Sequence, residues 1–243
     1  MSAYKVKQPD IASLICREPL NFLDRITQLY EQGANVKPIA RCVLHLDLIS
    51  YKIKDNCFKL TLQLANKFSM ANLVISSSLN PKSRSRLLAL IAFKKLKDMG
   101  VAVEWLDLAD HTIPLCDGDS TYNHSKVKEL KEKVQHAKGI LFAVPIYNYD
   151  VNAAAKNLIE LTGDAWNEKV VGFLCAAGGK GSYMSVMSLA NSLMLDFRCL
   201  ILPRFVYSLS EDFGEDEVTN PKVKERVSKL AKELDRISMI LKK

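Results

Sequence analysis

The sequence predicts an α/β fold, a doubly wound, three-layer arrangement around a five-stranded parallel sheet. Three observations carry that prediction. From residue 70 onward, short apolar runs alternate with segments of helical period, five times over. Two of the runs, GILFAVP (139–145) and VVGFLCA (170–176), are apolar throughout, as strands covered on both faces must be. The units also follow one another at the short spacing of βα pairs, too few for two complete dinucleotide-binding halves.

Each element has a local signal. NLVIS (72–76) is an apolar run ending in a Ser/Asn/Pro cluster, which marks the first strand. RSRLLALIAFKKLKD (84–98) sets Leu87, Leu88, Ile91 and Leu96 at helical spacing and stops before Gly100. VAVEWLDL (101–108) alternates as a strand and runs into a Pro/Asp/Gly/Ser loop. Residues 124–137 read as a polar helix, 139–145 as the third strand and Asn152 to Leu161 as a helix. The fourth strand is 170–176, and Ser182 to Leu195 is helical. CLILP (199–203) is the fifth strand, and Pro221 to Leu241 is a closing amphipathic helix. Five such units fit the flavodoxin-like strand order 2-1-3-4-5. Sheets of this kind bind ligands at the carboxyl ends of their strands, beside the switch point. The loops after Ser76, Pro145 and Ala176 are therefore expected to form one site.

Composition narrows the function. Of the 243 residues, 48% are hydrophobic and 25% charged, which excludes a disordered or fibrous chain. No apolar run reaches the roughly 18 residues a membrane helix needs, and no signal segment opens the chain. The six cysteines lack C-x-x-C spacing, which points to reduced thiols in the cytoplasm and to neither a metal site nor a disulfide frame. The net charge is +7, yet the densest basic run, Lys126 to Lys138, is interleaved with Glu129 and Glu132. That is a solvated helix face, so nucleic-acid binding is not expected. Residues 1–69 carry ten Lys/Arg and six Asp/Glu, show no motif and fit the βα pattern poorly. They are read as an N-terminal extension, either covering the sheet or mediating assembly, or as dispensable sequence before a native start at Met70. Their acidic content argues against a transit peptide. Residues 70–243 form the expected flavodoxin-like domain.

The three loops carry the chemistry. The first, Ser76-Ser77-Ser78-Leu79-Asn80-Pro81-Lys82-Ser83-Arg84-Ser85-Arg86, passes from a strand into a helix. Backbone N–H groups, the helix dipole, serine hydroxyls and Lys82, Arg84 or Arg86 together suit a phosphate. The loop matches neither a Walker loop nor G-x-G-x-x-G; a plain serine turn with Ser83 as N-cap is the bland alternative. The second, Pro145-Ile146-Tyr147-Asn148-Tyr149-Asp150, has two aromatics to wall a flat ring. Its alternative is a surface turn in which Asp150 or Asn152 caps the next helix. The third, Ala176-Ala177-Gly178-Gly179-Lys180-Gly181-Ser182, is glycine-rich, so its backbone can approach a ligand closely. His111, His124 and His136 lack metal-ligand spacing, and Cys175 reads as core. Arg198 and Arg204 flank the fifth strand, where they could meet a ligand phosphate, though arginines at strand ends are commonly just solvated.

These segments, in this order across residues 70–207, resemble the NADPH-dependent FMN reductase family of flavodoxin-like flavoenzymes. The family's first loop, G-S-L-R-x-x-S-x-N, is matched at Ser78 and Ser83; its Arg stands here as Asn80 and its Asn as Ser85. Its P-x-Y-N-x-S-x-P-x-x-L-K-N motif is matched at Pro145, Tyr147, Asn148, Lys156 and Asn157, and departs at Asp150, Asn152 and Ala155. The resemblance implies FMN as cofactor, with Ser76, Ser78, Ser83, Arg84 and Ser85 around its phosphate. It places Pro145, Ile146, Tyr147, Asn148, Gly178 and Gly179 along its ring. It further implies NADPH or NADH as hydride donor, a small-molecule electron acceptor such as free flavin or a quinone, and a homodimer or homotetramer to which the stretch Leu189–Leu195 contributes. No side chain is expected to act as catalytic acid, base or nucleophile, because the flavin carries the chemistry. The alternatives are a flavodoxin-type electron carrier, disfavoured by the positive balance after Met70, and a scaffold for another phosphorylated ligand. The latter would bury the second loop's tyrosines away from the site.

Overall fold

The computed structural model describes residues 70–241. The expectations for residues 1–69 lie outside the described residues. The elements in chain order are β1 (Asn72–Ser76), α1 (Arg84–Asp98), β2 (Val103–Asp107), α2 (Ser125–His136), β3 (Gly139–Tyr147) and β4 (Asp150–Val151). They continue with α3 (Ala153–Thr162), β5 (Val170–Ala177), α4 (Met187–Phe197), β6 (Leu200–Ile201), β7 (Val206–Leu209) and α5 (Pro221–Leu241).

The parallel sheet runs β2-β1-β3-β5, with β6 and β7 both pairing β5 on the far side. Five parallel positions in the order 2-1-3-4-5 are therefore present, and the sheet has seven strands for two reasons. The fifth position is divided: CLILP pairs only at Leu200–Ile201, and pairing resumes at Val206. Pro203 has no N–H to donate and Arg204 adopts φ 61°, so the ladder breaks between the two pieces. The other added strand, β4, folds back antiparallel on the end of β3, pairing Ile146 with Val151 and Tyr147 with Asp150. The helix expected from Ser182 begins five residues later, because the chain first makes a 3₁₀ turn over Lys180–Ser182.

Alternation along each strand sends side chains to two cores. On one face Ile75, Phe142, Val144 and Phe173 meet Leu130 and Val134 of α2, Leu158 of α3 and Leu193 of α4. On the other, Val74, Leu141 and Leu174 meet Leu88, Ala92 and Leu96 of α1 and Val227, Leu230 and Leu234 of α5. Each fully buried Leu or Phe contributes about 1.5–3 kcal/mol of transfer free energy. Trp166 is completely buried, stacks on Phe142 at 5.5 Å, and satisfies its indole N–H on Thr162 Oγ1 at 2.8 Å. At the amino edge of the sheet Lys138 and Asn72 both donate to Asp235 Oδ1, at 2.7 and 2.9 Å, which ties α5 to β1 and β3. The opposite, carboxyl edge carries the loops of interest. Among the described residues no helix is long and apolar enough to cross a membrane.

Candidate functional site

The first loop is built from inside by one arginine. Arg86, in the first turn of α1, pairs bidentately with Asp107 at the end of β2. It also donates to the carbonyls of Ser78 (3.1 Å), Asn80 (2.9 Å) and Pro81 (3.0 Å). A trans peptide points its N–H opposite to its C=O, so fixing the Ser78 carbonyl on Arg86 turns the Leu79 N–H the other way. The N–H groups of Ser78, Ser83, Arg84 and Ser85 have no acceptor among the described residues. They gather where the positive end of the α1 dipole emerges.

The predicted serines fall into distinct roles here. Ser83 is the N-cap, accepting from Arg86 N at 3.2 Å, and its hydroxyl lies 3.0 Å from that of buried Ser85. Capping uses an oxygen lone pair, and either hydroxyl of the Ser83–Ser85 pair can be the donor, so one of the two protons is free to donate onward. Ser78 Oγ accepts a long bond from Asn80 N at 3.3 Å and likewise keeps its proton. Ser76 is fully buried, and its Oγ has no partner among the described residues. Arg84 donates to Ser210 Oγ at 2.7 Å, with its guanidinium over the Phe213 ring. Lys82 is exposed. Of the three cations expected to offset a phosphate, Arg86 is thus committed to Asp107, which leaves Lys82 and Arg84.

The second loop is a two-residue hairpin. Asn148 (φ 51°) and Tyr149 (φ 64°) are both left-handed, as the type I′ turn linking β3 to β4 requires. Asn tolerates that region, but Tyr does not, so strain is concentrated at this turn. Tyr147 is 49% exposed and Tyr149 73%, with Pro145 and Ile146 buried behind them. The aromatics are therefore not packed away from the site. Neither proposed cap operates. Asp150 Oδ1 instead accepts from Ser188 Oγ of α4 at 2.6 Å, while buried Asn152 reaches across to the first loop. Asn157 holds the loop after β2, accepting from Cys116 N at 2.8 Å and donating to Pro114 O at 2.9 Å.

Gly178 and Gly179 are exposed at the head of β5, and a Cβ on either would meet nothing within 4 Å. Neither has a positive φ, so nothing among the described residues requires glycine there. At Gly181 a Cβ would approach the Tyr149 hydroxyl to 3.0 Å, which brings the second and third loops together. Beneath the glycines Tyr207 donates to Gly179 O at 2.6 Å. Three signals were missed by sequence reasoning. Asp107 alternates onto the face of Val103 and Trp105, where an acid needs a partner; Asn152 sits at a cap position; and Tyr207 lies past the apparent end of the fifth strand.

Other candidates sit elsewhere. Arg198 is the left-handed C-cap of α4 at the amino edge, 3.9 Å from Glu168, and so faces away from the loops. Arg204 holds the strained break between β6 and β7. Burial pushes the Cys175 thiol well up and that of Cys199 to about 11, so both are protonated packing residues at neutral pH. Among the described residues no cluster of His, Cys, Asp or Glu is placed to hold a metal.

Comparison with known proteins gives the family and the fold. The chain is 32% identical over 146 residues to an NAD(P)H-dependent FAD/FMN reductase of Geobacillus thermodenitrificans, covering 58% of this chain and 78% of that one. It is 26% identical over 181 residues to an NAD(P)H:quinone oxidoreductase of Solanum tuberosum, covering 69% and 92%. In fold it resembles a flavoenzyme NAD(P)H:(acceptor) oxidoreductase of Paracoccus denitrificans, with a TM-score of 0.58 at 18% identity over 70% of this chain and 98% of that one. An NADH:FMN oxidoreductase in its apo form gives a TM-score of 0.59 at 17% identity over 71% and 90%. The family model for NADPH-dependent FMN reductase matches residues 70–214, and the chain belongs to that family.

Proposed function

We propose that the carboxyl-edge loops hold FMN and that the protein passes electrons from NADPH or NADH through it to a small acceptor, free flavin or a quinone. The single observation that carries the placement is the first loop, where Arg86 gathers three carbonyls while four N–H groups, of Ser78, Ser83, Arg84 and Ser85, have no acceptor among the described residues. These donors, with Lys82, Arg84 and the dipole of α1, suit a phosphate dianion. The buried Ser76 hydroxyl without a partner supports the same reading. Gly178 and Gly179, which no packing among the described residues requires, suit a turn that lies close against a flat ring. Tyr147 and Tyr149 offer that ring a wall.

When bound, FMN supplies the hydride-accepting chemistry. The chain's own residues then have three tasks. The first loop binds the phosphate and fixes the cofactor's register. The hairpin and the glycine turn orient the ring, leaving one face open for a nicotinamide. Backbone N–H groups of the glycine turn stabilise negative charge that develops beside them. No side chain is needed to move a proton in the first step, and we assign no catalytic residue.

The supporting arguments extend to context. Leu195 (84% exposed) and Met194 (37%) on α4 favour a homodimer or homotetramer, and the unspaced cysteines favour the cytoplasm. The reading is tested with Ser78→Ala combined with Ser83→Ala in the full-length chain. Loss of two hydrogen bonds to a charged phosphate should weaken FMN binding about a hundredfold in a fluorescence titration. Wild-type affinity in the double variant would remove the phosphate from this loop.

A further inference from the structure

Tyr207 belongs to none of the motifs read from the sequence. It stands on β7 opposite Cys175, 8% exposed, with its hydroxyl at the carboxyl edge under the glycine turn. Its proton goes to Gly179 O at 2.6 Å. The Ser182 hydroxyl lies 2.8 Å from that of Tyr207 and 3.5 Å from Gly179 O, so the three groups form one relay in which Tyr207 donates to the carbonyl. The ring is braced edge-on by Tyr183 at 5.1 Å, and Tyr183 packs on Phe205 at 5.0 Å.

The 3₁₀ turn over Lys180–Ser182 and the Ser182 hydroxyl, 3.5 Å from Gly179 O, shape the residues that follow, but the Gly-Gly pair itself has little else to fix it. Gly178 and Gly179 have no side chains, and their Cβ positions look onto empty space. Glycine loses more backbone freedom on ordering than any other residue, so an unsupported Gly-Gly turn is soft. A carbonyl held by a short hydrogen bond also sets its whole peptide plane. With the Gly179 C=O turned onto Tyr207, the N–H of Lys180 must point the opposite way. That N–H has no partner among the described residues.

We propose that Tyr207 is a positioning residue for the cofactor: its hydroxyl locks the 179–180 peptide so that the Lys180 N–H is presented to the flavin ring. This rests on the placement of FMN proposed above. The lock means that the turn is ordered before the ligand arrives, which lowers the cost of binding, and that its dipole has a fixed direction beside the ring.

The test uses the full-length chain and FMN as the probe. Tyr207→Phe keeps the ring packed on Tyr183 and removes only the hydroxyl. It should leave the apoprotein's thermal midpoint close to wild type, raise the Kd for FMN about tenfold, and shift the visible absorption bands of bound FMN toward those of free FMN. A Kd within twofold of wild type together with an unchanged bound spectrum would overturn the proposal. Should Tyr207→Phe fail to fold, Ser182→Ala reads the same relay, with a smaller rise in Kd and a shift in the same direction expected. An unchanged Kd and spectrum there would likewise overturn it. Gly178→Val separates this inference from the placement it rests on. Its fold should survive, because the new side chain meets no protein atom within 4 Å at its Cβ, while FMN binding should be lost. Normal FMN binding by Gly178→Val would remove the flavin from this turn altogether, whereas its loss alongside an unaffected Tyr207→Phe would sink only the role of Tyr207.

Discussion

Asn152, at the start of α3, and Ser77, just past β1, are buried side chains that bind each other across the switch point of the sheet. Asn152 Nδ2 donates to Ser77 O at 2.8 Å, and the Ser77 hydroxyl lies 2.8 Å from Asn152 Oδ1 and 3.0 Å from Ala143 O. The first and second loops are thus one unit. Replacing Asn152 by Ala leaves the buried Ser77 carbonyl without this donor and should cost about 1–3 kcal/mol of stability, read by urea unfolding. On the proposed placement of FMN, its affinity should fall as well, because the first loop and the hairpin lose their common anchor.

Asp107 should behave as part of the cofactor loop although it lies on another strand. The side chains of Arg86 and Asp107 are only 17% and 7% exposed. Asp107→Ala leaves a partly buried guanidinium unpaired, at a cost of about 3 kcal/mol. The loop carbonyls lose their organiser, so FMN binding should weaken at least as much as stability suggests. Equilibrium unfolding and FMN titration on the same sample check both parts. An unchanged affinity would show that Arg86 alone shapes the loop.

The left-handed Tyr149 sets stability against function. Tyr149→Gly relieves a strained φ of 64° and should leave the protein as stable as wild type or about 1 kcal/mol more so. It also removes the ring that lies against Gly181, so the KM for NADPH and the Kd for FMN should both rise. Thermal melting and steady-state kinetics together read the opposed changes.

Thiol ionisation sets an alkaline limit. Cys199 titrates near 9 when unfolded and at about 11 when folded, because burial disfavours the thiolate. Between those values the unfolded chain has released a proton that the native chain retains, so stability falls as pH rises. The contribution is intact below pH 9 and gone above 11. Cys199 Sγ also donates to Trp166 O at 3.1 Å, and Cys199→Ser keeps a donor without the titration. That variant should flatten the decline in melting temperature between pH 9 and 11. In native protein, iodoacetamide should label half-buried Cys116 before Cys175 or Cys199.

The architecture was legible because it rests on short-range patterns. Runs such as NLVIS and GILFAVP are apolar because both sheet faces are covered, and α1 shows its period, its serine cap and its stop at Gly100. What escaped the sequence was contact between distant residues. Arg86 looked like a free cation until β2 placed Asp107 beneath it, 21 positions on. Asn152 stands where a helix cap belongs, and only the approach of the first loop shows that its amide is used elsewhere. The fifth strand reads as CLILP (199–203) alone, because the return to pairing at Val206 depends on the left-handed turn at Arg204 and the contact with β5, which local pattern does not encode. Tyr207 lay beyond that break, so its place under the glycine turn could not be read from spacing.

The most direct test of the account is anaerobic reduction of the full-length protein after FMN has been added and unbound flavin removed. The account predicts a yellow protein whose visible absorbance is retained on gel filtration and bleaches when NADPH or NADH is added without any partner reductase, and returns when a quinone is supplied. Retained flavin that neither nucleotide bleaches would contradict the reductase reading and leave an electron carrier. Failure to retain any flavin would contradict the proposed site itself.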